Sequence, residues 1–148
     1  MSEYPEKLKD VLDDFGFVTD RSERAELLMD YASRFEPVPA RIAESPYPED
    51  HRVPFCESEA YVWSEPEADG ALKYFFAVEN PQGLSAMAMA VILDETLSGA
   101  PIEKVAQVSQ DIVLQIFGRE ISMGKGQGLM GMVSVVQAEA KRHLAEQD

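Results

Sequence analysis

Six of the chain's nine prolines (Pro37, Pro39, Pro46, Pro48, Pro54 and Pro66) fall in one stretch, and that stretch limits what the chain can fold into. Proline has no backbone donor and breaks helices, so no long helix or central strand crosses this region. It reads as extended loop in its first part. A loop of some twenty residues inside a compact domain is uncommon and is usually functional or disordered.

On either side the hydrophobic periodicity is regular. Leu8, Val11, Leu12 and Phe15 fall at i, i+3, i+4 and i+7, which predicts a helix closed by Gly16. Asp20 offers an N-cap for a second helix, with Glu23 at capping-box spacing and Leu27, Leu28, Tyr31 and Phe35 on its buried face. After the prolines, Ala60 and Val62 alternate with Tyr61 and Trp63. Asp69-Gly70 marks a turn, and Leu72, Tyr74, Phe76 and Val78 share one face of the next strand, with Phe75 and Ala77 opposite. Three more helices are predicted: Leu84 to Leu97, Ile102 to Phe117, and Leu129 to Leu144. The last carries a stripe of Leu129, Met132, Val133, Val136 and Ala140. Helices, a short antiparallel sheet, then helices is an α+β arrangement, and the 148 residues are expected to form one domain, 1–148.

Charge excludes several classes of partner. The chain has 13 Lys and Arg against 27 Asp and Glu, a formal charge of -14, which repels phosphate backbones and anionic lipid. Nucleic acid and membrane are therefore not expected partners. No hydrophobic run approaches a membrane span, and MSEYPEKLKDVLDDF lacks the pattern of a signal peptide, so a cytoplasmic location is expected. A single cysteine excludes an internal disulfide, a CxxC pair and a Cys-ligated iron–sulfur cluster.

That cysteine, Cys56, is the foremost candidate for chemistry. By type alone it reads as a small buried hydrophobe. Its position in VPFCESE, between the proline-rich loop and a strand, opens a functional reading, because side chains that act are concentrated on such loops. Glu57 and Glu59 flank it with negative charge, His51 and Arg52 with positive charge. His51, five positions away, is read first as a solvated loop histidine. His143 is expected near the end of the terminal helix, where it meets the helix dipole. One cysteine and two dispersed histidines do not make a metal site.

Gly126-Gln127-Gly128-Leu129-Met130-Gly131 matches GxGxxG letter for letter. A dinucleotide fingerprint follows a strand, opens a crossover helix and needs an acidic residue about twenty positions later, and the seventeen residues after Gly131 leave no room for the second strand. Lys125 precedes the glycines, so this is not a P-loop either. The reading left is a loop leading into a helix, whose free N–H groups together with Lys125 could receive an anion. Met87, Met89, Met123, Met130 and Met132 are read as core or gap-filling residues. The acidic side chains Asp10, Asp13, Asp14, Glu23 and Glu26 are read as a solvated face.

With these segments in view, the chain resembles the SufE family of sulfur-acceptor proteins over roughly Leu8 to Leu144. Val53, Cys56, Ser58 and Trp63 fit the family's V-x-G-C-x-S-x-V-W segment with two extra residues before the tryptophan. Gln127-Gly128-Leu129 with Met132 looks like its S-R-x-x-G-L-x-x-M stretch. Three departures stand out. Phe55 replaces the glycine before the cysteine, and Lys125 replaces the arginine, keeping charge without the bidentate fork. Glu79-Asn80-Pro81-Gln82-Gly83 stands where the family has an aspartate-rich segment.

The resemblance implies a SufE/IscU-like fold and a sulfur acceptor that activates a SufS-like cysteine desulfurase in iron–sulfur cluster assembly. Cys56 would take persulfide sulfur and hand it to an iron–sulfur scaffold complex. Lys125 would lie near the thiol and stabilise its anionic form, with His51, Arg52 and Ser58 as loop support. Such a protein is a carrier and not a freestanding enzyme, and it needs no cofactor of its own, the pyridoxal phosphate belonging to the desulfurase. Two other readings stand beside it: a single-cysteine thiol enzyme such as a peroxide-reducing protein, and an acidic interaction module with an inert cysteine.

Overall fold

The computed structural model describes residues 4–147. In chain order it contains α1 (Glu6–Phe17), α2 (Arg21–Ser33), β1 (Ala60–Pro66), β2 (Leu72–Val78), α3 (Leu84–Leu97), α4 (Ile102–Val105), α5 (Ile112–Phe117) and α6 (Met123–Gln147). β1 and β2 form a two-stranded antiparallel sheet with Ala60 opposite Val78 and Pro66 opposite Leu72. The architecture is α+β, as the order of periodicities predicts.

The strand alternation sorts side chains onto two faces. Ala60, Val62, Leu72, Tyr74 and Phe76 join the main core, which the helices fill. Helix α3 sits at its centre, packed against α1, α2, α6 and β2. Its segment Ala88 to Leu93 is buried all round, as expected of a helix surrounded by other elements. The opposite sheet face carries a second cluster of Tyr61, Trp63 and Ala77, covered by Val38 with Ile42, Ala43 and Tyr47. The proline-rich stretch is thus a packed cover for the outer face of the sheet. The Val38 N–H donates to the Phe76 carbonyl at 2.8 Å, and a single 3₁₀ turn spans Glu49–His51.

Several local expectations need correction. Gly16 lies inside α1, exposed, and the helix closes at Val18, because the burial of Leu8 and Phe15 holds the turn that glycine disfavours. Asp20 does cap α2, accepting the Ser22 N–H at 3.2 Å, and Phe35 packs just beyond the end of that helix. The span Ile102 to Phe117 is two short helices. The Ser109 hydroxyl takes the Asp111 N–H at 3.1 Å in competition with the helical ladder, and the freed Ala106 carbonyl accepts from Gln137 at 2.9 Å. Met89 and Met132 are core residues and Met87 and Met130 border the core, but Met123 is 82% exposed.

The glycine-rich segment is helix, not loop. Helix α6 begins at Met123, six residues before Leu129. The Gly126 N–H donates to the Ser122 carbonyl at 2.8 Å and the Lys125 N–H to the Ser122 hydroxyl at 3.4 Å, so the N–H groups expected to be free along GKGQGL are largely engaged.

A polar clamp joins α6 to β1. Glu139 accepts from the Ser64 hydroxyl at 2.6 Å and from Arg142 at 3.0 Å. Burial pushes its carboxyl up, but the hydrogen bonds from Arg142 and Ser64 outweigh this and hold it below the usual carboxylate range. A group depressed in the folded state contributes stability above its unfolded value, about 4.3, and loses it as pH falls through the folded one. Stability against urea measured between pH 6 and 3 is therefore expected to fall less steeply below about pH 4 in Glu139→Gln than in the parent. Parallel curves for the two proteins would contradict the clamp.

Candidate functional site

Cys56 lies in a short closed loop. The Val53 N–H donates to the Ala60 carbonyl at 2.8 Å, an isolated bridge pairs Arg52 with Tyr61, and the Glu59 N–H donates to the Cys56 carbonyl at 3.1 Å. Two residues turn the chain through the left-handed region, Phe55 at φ +59° and Glu59 at φ +55°. The tight reversal turns Cys56 inward, 6% exposed, and Phe55 outward, 86% exposed.

Phe55 occupies a conformation that glycine adopts without penalty and that costs other L-residues about 1–2 kcal/mol. Its ring, being exposed, returns little packing energy. Phe55→Gly is expected to stabilise the fold by about 0.5–1 kcal/mol, the relief exceeding the extra chain entropy of glycine. Chemical denaturation checks this, and a destabilised variant would mean that the ring contributes packing.

The loop is held from two sides. The segment after β2 binds its backbone: the Glu79 N–H donates to the Glu59 carbonyl at 3.1 Å and the Asn80 N–H to the Ser58 carbonyl at 3.2 Å. The first turns of α6 supply the seat. A Cβ added at Gly128 would lie 3.2 Å from the Cys56 Cα and 3.4 Å from its Sγ, and one at Gly131 would lie 2.9 Å from the Val53 Cγ1. Any larger residue at these positions would hold the helix off the loop. Gly83 meets Ser58 from the other side in the same way, at 2.9 Å.

Beside the thiol is a cavity of about 80 Å³, lined among others by Cys56, Ser58, Gln82, Ser85, Lys125 and Gly128. Lys125 is itself exposed, and its backbone is fixed in the first turn of α6. The structure therefore brings Cys56, Ser58 and Lys125 to one cavity. His51 and Arg52 lie elsewhere. The His51 ring stacks on Trp63 at 5.2 Å with its Nδ1 2.9 Å from the Val62 carbonyl, which puts it in the aromatic cluster of the outer sheet face. Arg52 is exposed at the base of the loop, 3.7 Å from Glu49. His143 is half-buried late in α6, 3.7 Å from Glu146. Among the described residues no group of three or more His, Cys, Asp or Glu side chains is placed to hold a metal ion, and no helix is long and apolar enough to cross a membrane.

Sequence reading missed Gly83, Gly131, Gln82 and Ser85, which form the seat and cavity wall. The available signal was the spacing of Gly124, Gly128 and Gly131 at i, i+4 and i+7, a single helix face.

Comparison with known proteins bears on the fold and the family. A solved structure described as the solution structure of a hypothetical protein from Thermus thermophilus superposes with a TM-score of 0.73 at 26% identity. It covers 97% of this chain and 99% of that one. A search among curated proteins finds no match. The family model for SufE, the Fe-S metabolism associated domain, matches residues 9–140, a span that includes the cysteine loop, both strands and the glycine face of α6. By that match, the chain belongs to the SufE family and is tied to iron–sulfur metabolism.

Proposed function

We propose that this protein is a sulfur acceptor that takes persulfide sulfur from a SufS-type cysteine desulfurase onto Cys56 and passes it to an iron–sulfur scaffold complex. The observation that carries the reading is the lone thiol, 6% exposed, held against a glycine-faced helix beside a cavity of about 80 Å³. One water's share of liquid volume is about 30 Å³, so there is room for one additional sulfur atom without repacking.

The transfer is a displacement at sulfur. The Cys56 thiol loses its proton, and the thiolate attacks the outer sulfur of the desulfurase persulfide. A new S–S bond forms on Cys56, the old one breaks, and its electron pair leaves with the desulfurase thiolate, which takes up a proton. No net oxidation occurs. Lys125, on the cavity wall, supplies positive charge to the anionic forms of both thiol and persulfide.

Burial divides the cycle into a shielded resting state and an exposed transfer state. A persulfide in the cavity is protected from reductants and from further oxidation. Delivery then needs the loop to move, and the rim is suited to a protein partner: Phe55, Leu84 and Met123, each beside a cavity-lining residue, are 86%, 51% and 82% exposed. Exposed apolar side chains grouped around a functional cavity mark an interaction surface. The burial of Cys56 also favours presentation to a macromolecular partner over the peroxide-reducing alternative, which needs an open thiol.

The test is intact-protein mass after incubation with a SufS-type desulfurase and L-cysteine. One added sulfur, removable by reductant, is expected. An unchanged mass with an active desulfurase would overturn the reading.

A further inference from the structure

We propose that the cationic groove between the α1–α2 corner and the α5–α6 corner is a docking channel for an acidic segment of the protein that loads Cys56. The partner's role rests on the carrier reading above; the binding chemistry of the groove stands on its own observations.

The groove encloses about 670 Å³ and is lined by Arg21, Arg24, Arg119 and Lys125 against only Asp20 and Glu120. That excess of cations runs opposite to the chain as a whole, with 13 basic residues against 27 acidic ones. The two carboxylates are already engaged. Asp20 caps α2 through the Ser22 N–H, and Glu120 pairs with Arg21. Arg24 turns its guanidinium onto the Ile116 carbonyl at 2.6 Å, keeping its charge in the groove wall. Arg119 and Lys125 carry no ion pair among the described residues. The groove is therefore a positive channel in a negative surface.

Its position gives the charge a use. Ser85 and Lys125 line both this groove and the Cys56 cavity, so the two are neighbours that share a wall. A net negative surface repels an acidic segment, whereas the groove receives it and guides it toward the thiol. The volume is that of a pocket for an extended ligand, well beyond a single inorganic anion. Duplex nucleic acid or an anionic membrane would have to approach the whole -14 surface, whereas a short segment meets only the channel.

The test uses a fluorescein-labelled peptide of alternating glutamate and glycine and reads anisotropy at low salt. The double variant Arg21→Gln/Arg119→Gln removes two groove charges and leaves Cys56 and Lys125 untouched. Arg41→Gln/Lys141→Gln makes the same change in net charge outside the groove. The groove variant is expected to bind about tenfold more weakly than the parent and to lose most of its salt dependence, with the control within about twofold. Equal weakening in both variants, no binding to the parent, or displacement by inorganic phosphate at the concentration that the peptide itself requires would overturn the channel. In a second arm, a SufS-type desulfurase loads sulfur on the parent and the groove variant. A raised desulfurase requirement with an unchanged final yield is expected, and identical titrations would overturn the docking role. Failure of the parent to take sulfur at all would overturn the carrier reading instead, leaving the peptide result to decide the groove.

Discussion

Cys56→Ser is expected to fold like the parent and to accept no sulfur. The substitution exchanges sulfur for a slightly smaller oxygen at a site walled by the Gly128 face. The introduced hydroxyl is buried, and leaving it without a partner costs about 1–2 kcal/mol, a tolerable loss for a domain of ordinary stability. The chemical loss is complete. A serine hydroxyl stays protonated at neutral pH, and His51 is engaged on the other face of the sheet. Because the chain has one cysteine, any reductant-labile sulfur on the parent must be on Cys56, and intact mass is a sufficient readout. Sulfur retained on the serine variant would locate the acceptor elsewhere and remove the basis of the proposed function.

The pieces of this site differ in how openly the sequence displays them. The cysteine stands out because it is unique and sits where a proline-rich segment meets a strand. The strands are legible because period-two alternation sorts Leu72, Tyr74 and Phe76 from Phe75 and Ala77, and burial follows that sorting. The proline-rich cover is not, because its packing depends on isolated residues such as Val38 and Tyr47 meeting aromatic side chains from distant strands. The start of α6 is hidden for a different reason. Glycine is a poor helix former, each costing about 1 kcal/mol relative to alanine, so four glycines between Gly124 and Gly131 argue locally for a loop. Tertiary contact overrides this, because Gly128 and Gly131 admit the cysteine loop to the helix surface. Likewise Phe55 carries no local mark of a left-handed backbone; the loop closure at Val53 and Ala60 imposes it.

Alanine substitutions at the glycines of this helix, on and off the loop-facing side, separate helix stability from the seating of the loop. At Gly126 an added Cβ would meet Ile121 at 3.6 Å, an ordinary contact, so Gly126→Ala is expected to stabilise by about 1 kcal/mol through helix propensity alone. At Gly128 the same gain is opposed by contacts of 3.2 Å to the Cys56 Cα and 3.4 Å to its Sγ, so the loop must give way by a few tenths of an ångström. Gly131→Ala is the most disruptive. Its Cβ would come within 2.9 Å of Val53, a short β-branched side chain with no exposed surface and nowhere to move. Overpacking of this kind costs about 1–3 kcal/mol, which matches or exceeds the propensity gain. The thiol reports the difference directly. Reaction of native Cys56 with a disulfide reagent is expected to be slow in the parent and in Gly126→Ala, and at least about tenfold faster in Gly131→Ala, because displacing Val53 opens the loop at its base. Gly128→Ala should fall between them in labelling rate while staying close to the parent in thermal stability. Equal labelling in all four proteins would show that the loop does not depend on the glycine face, and the shielded resting state would then need another source.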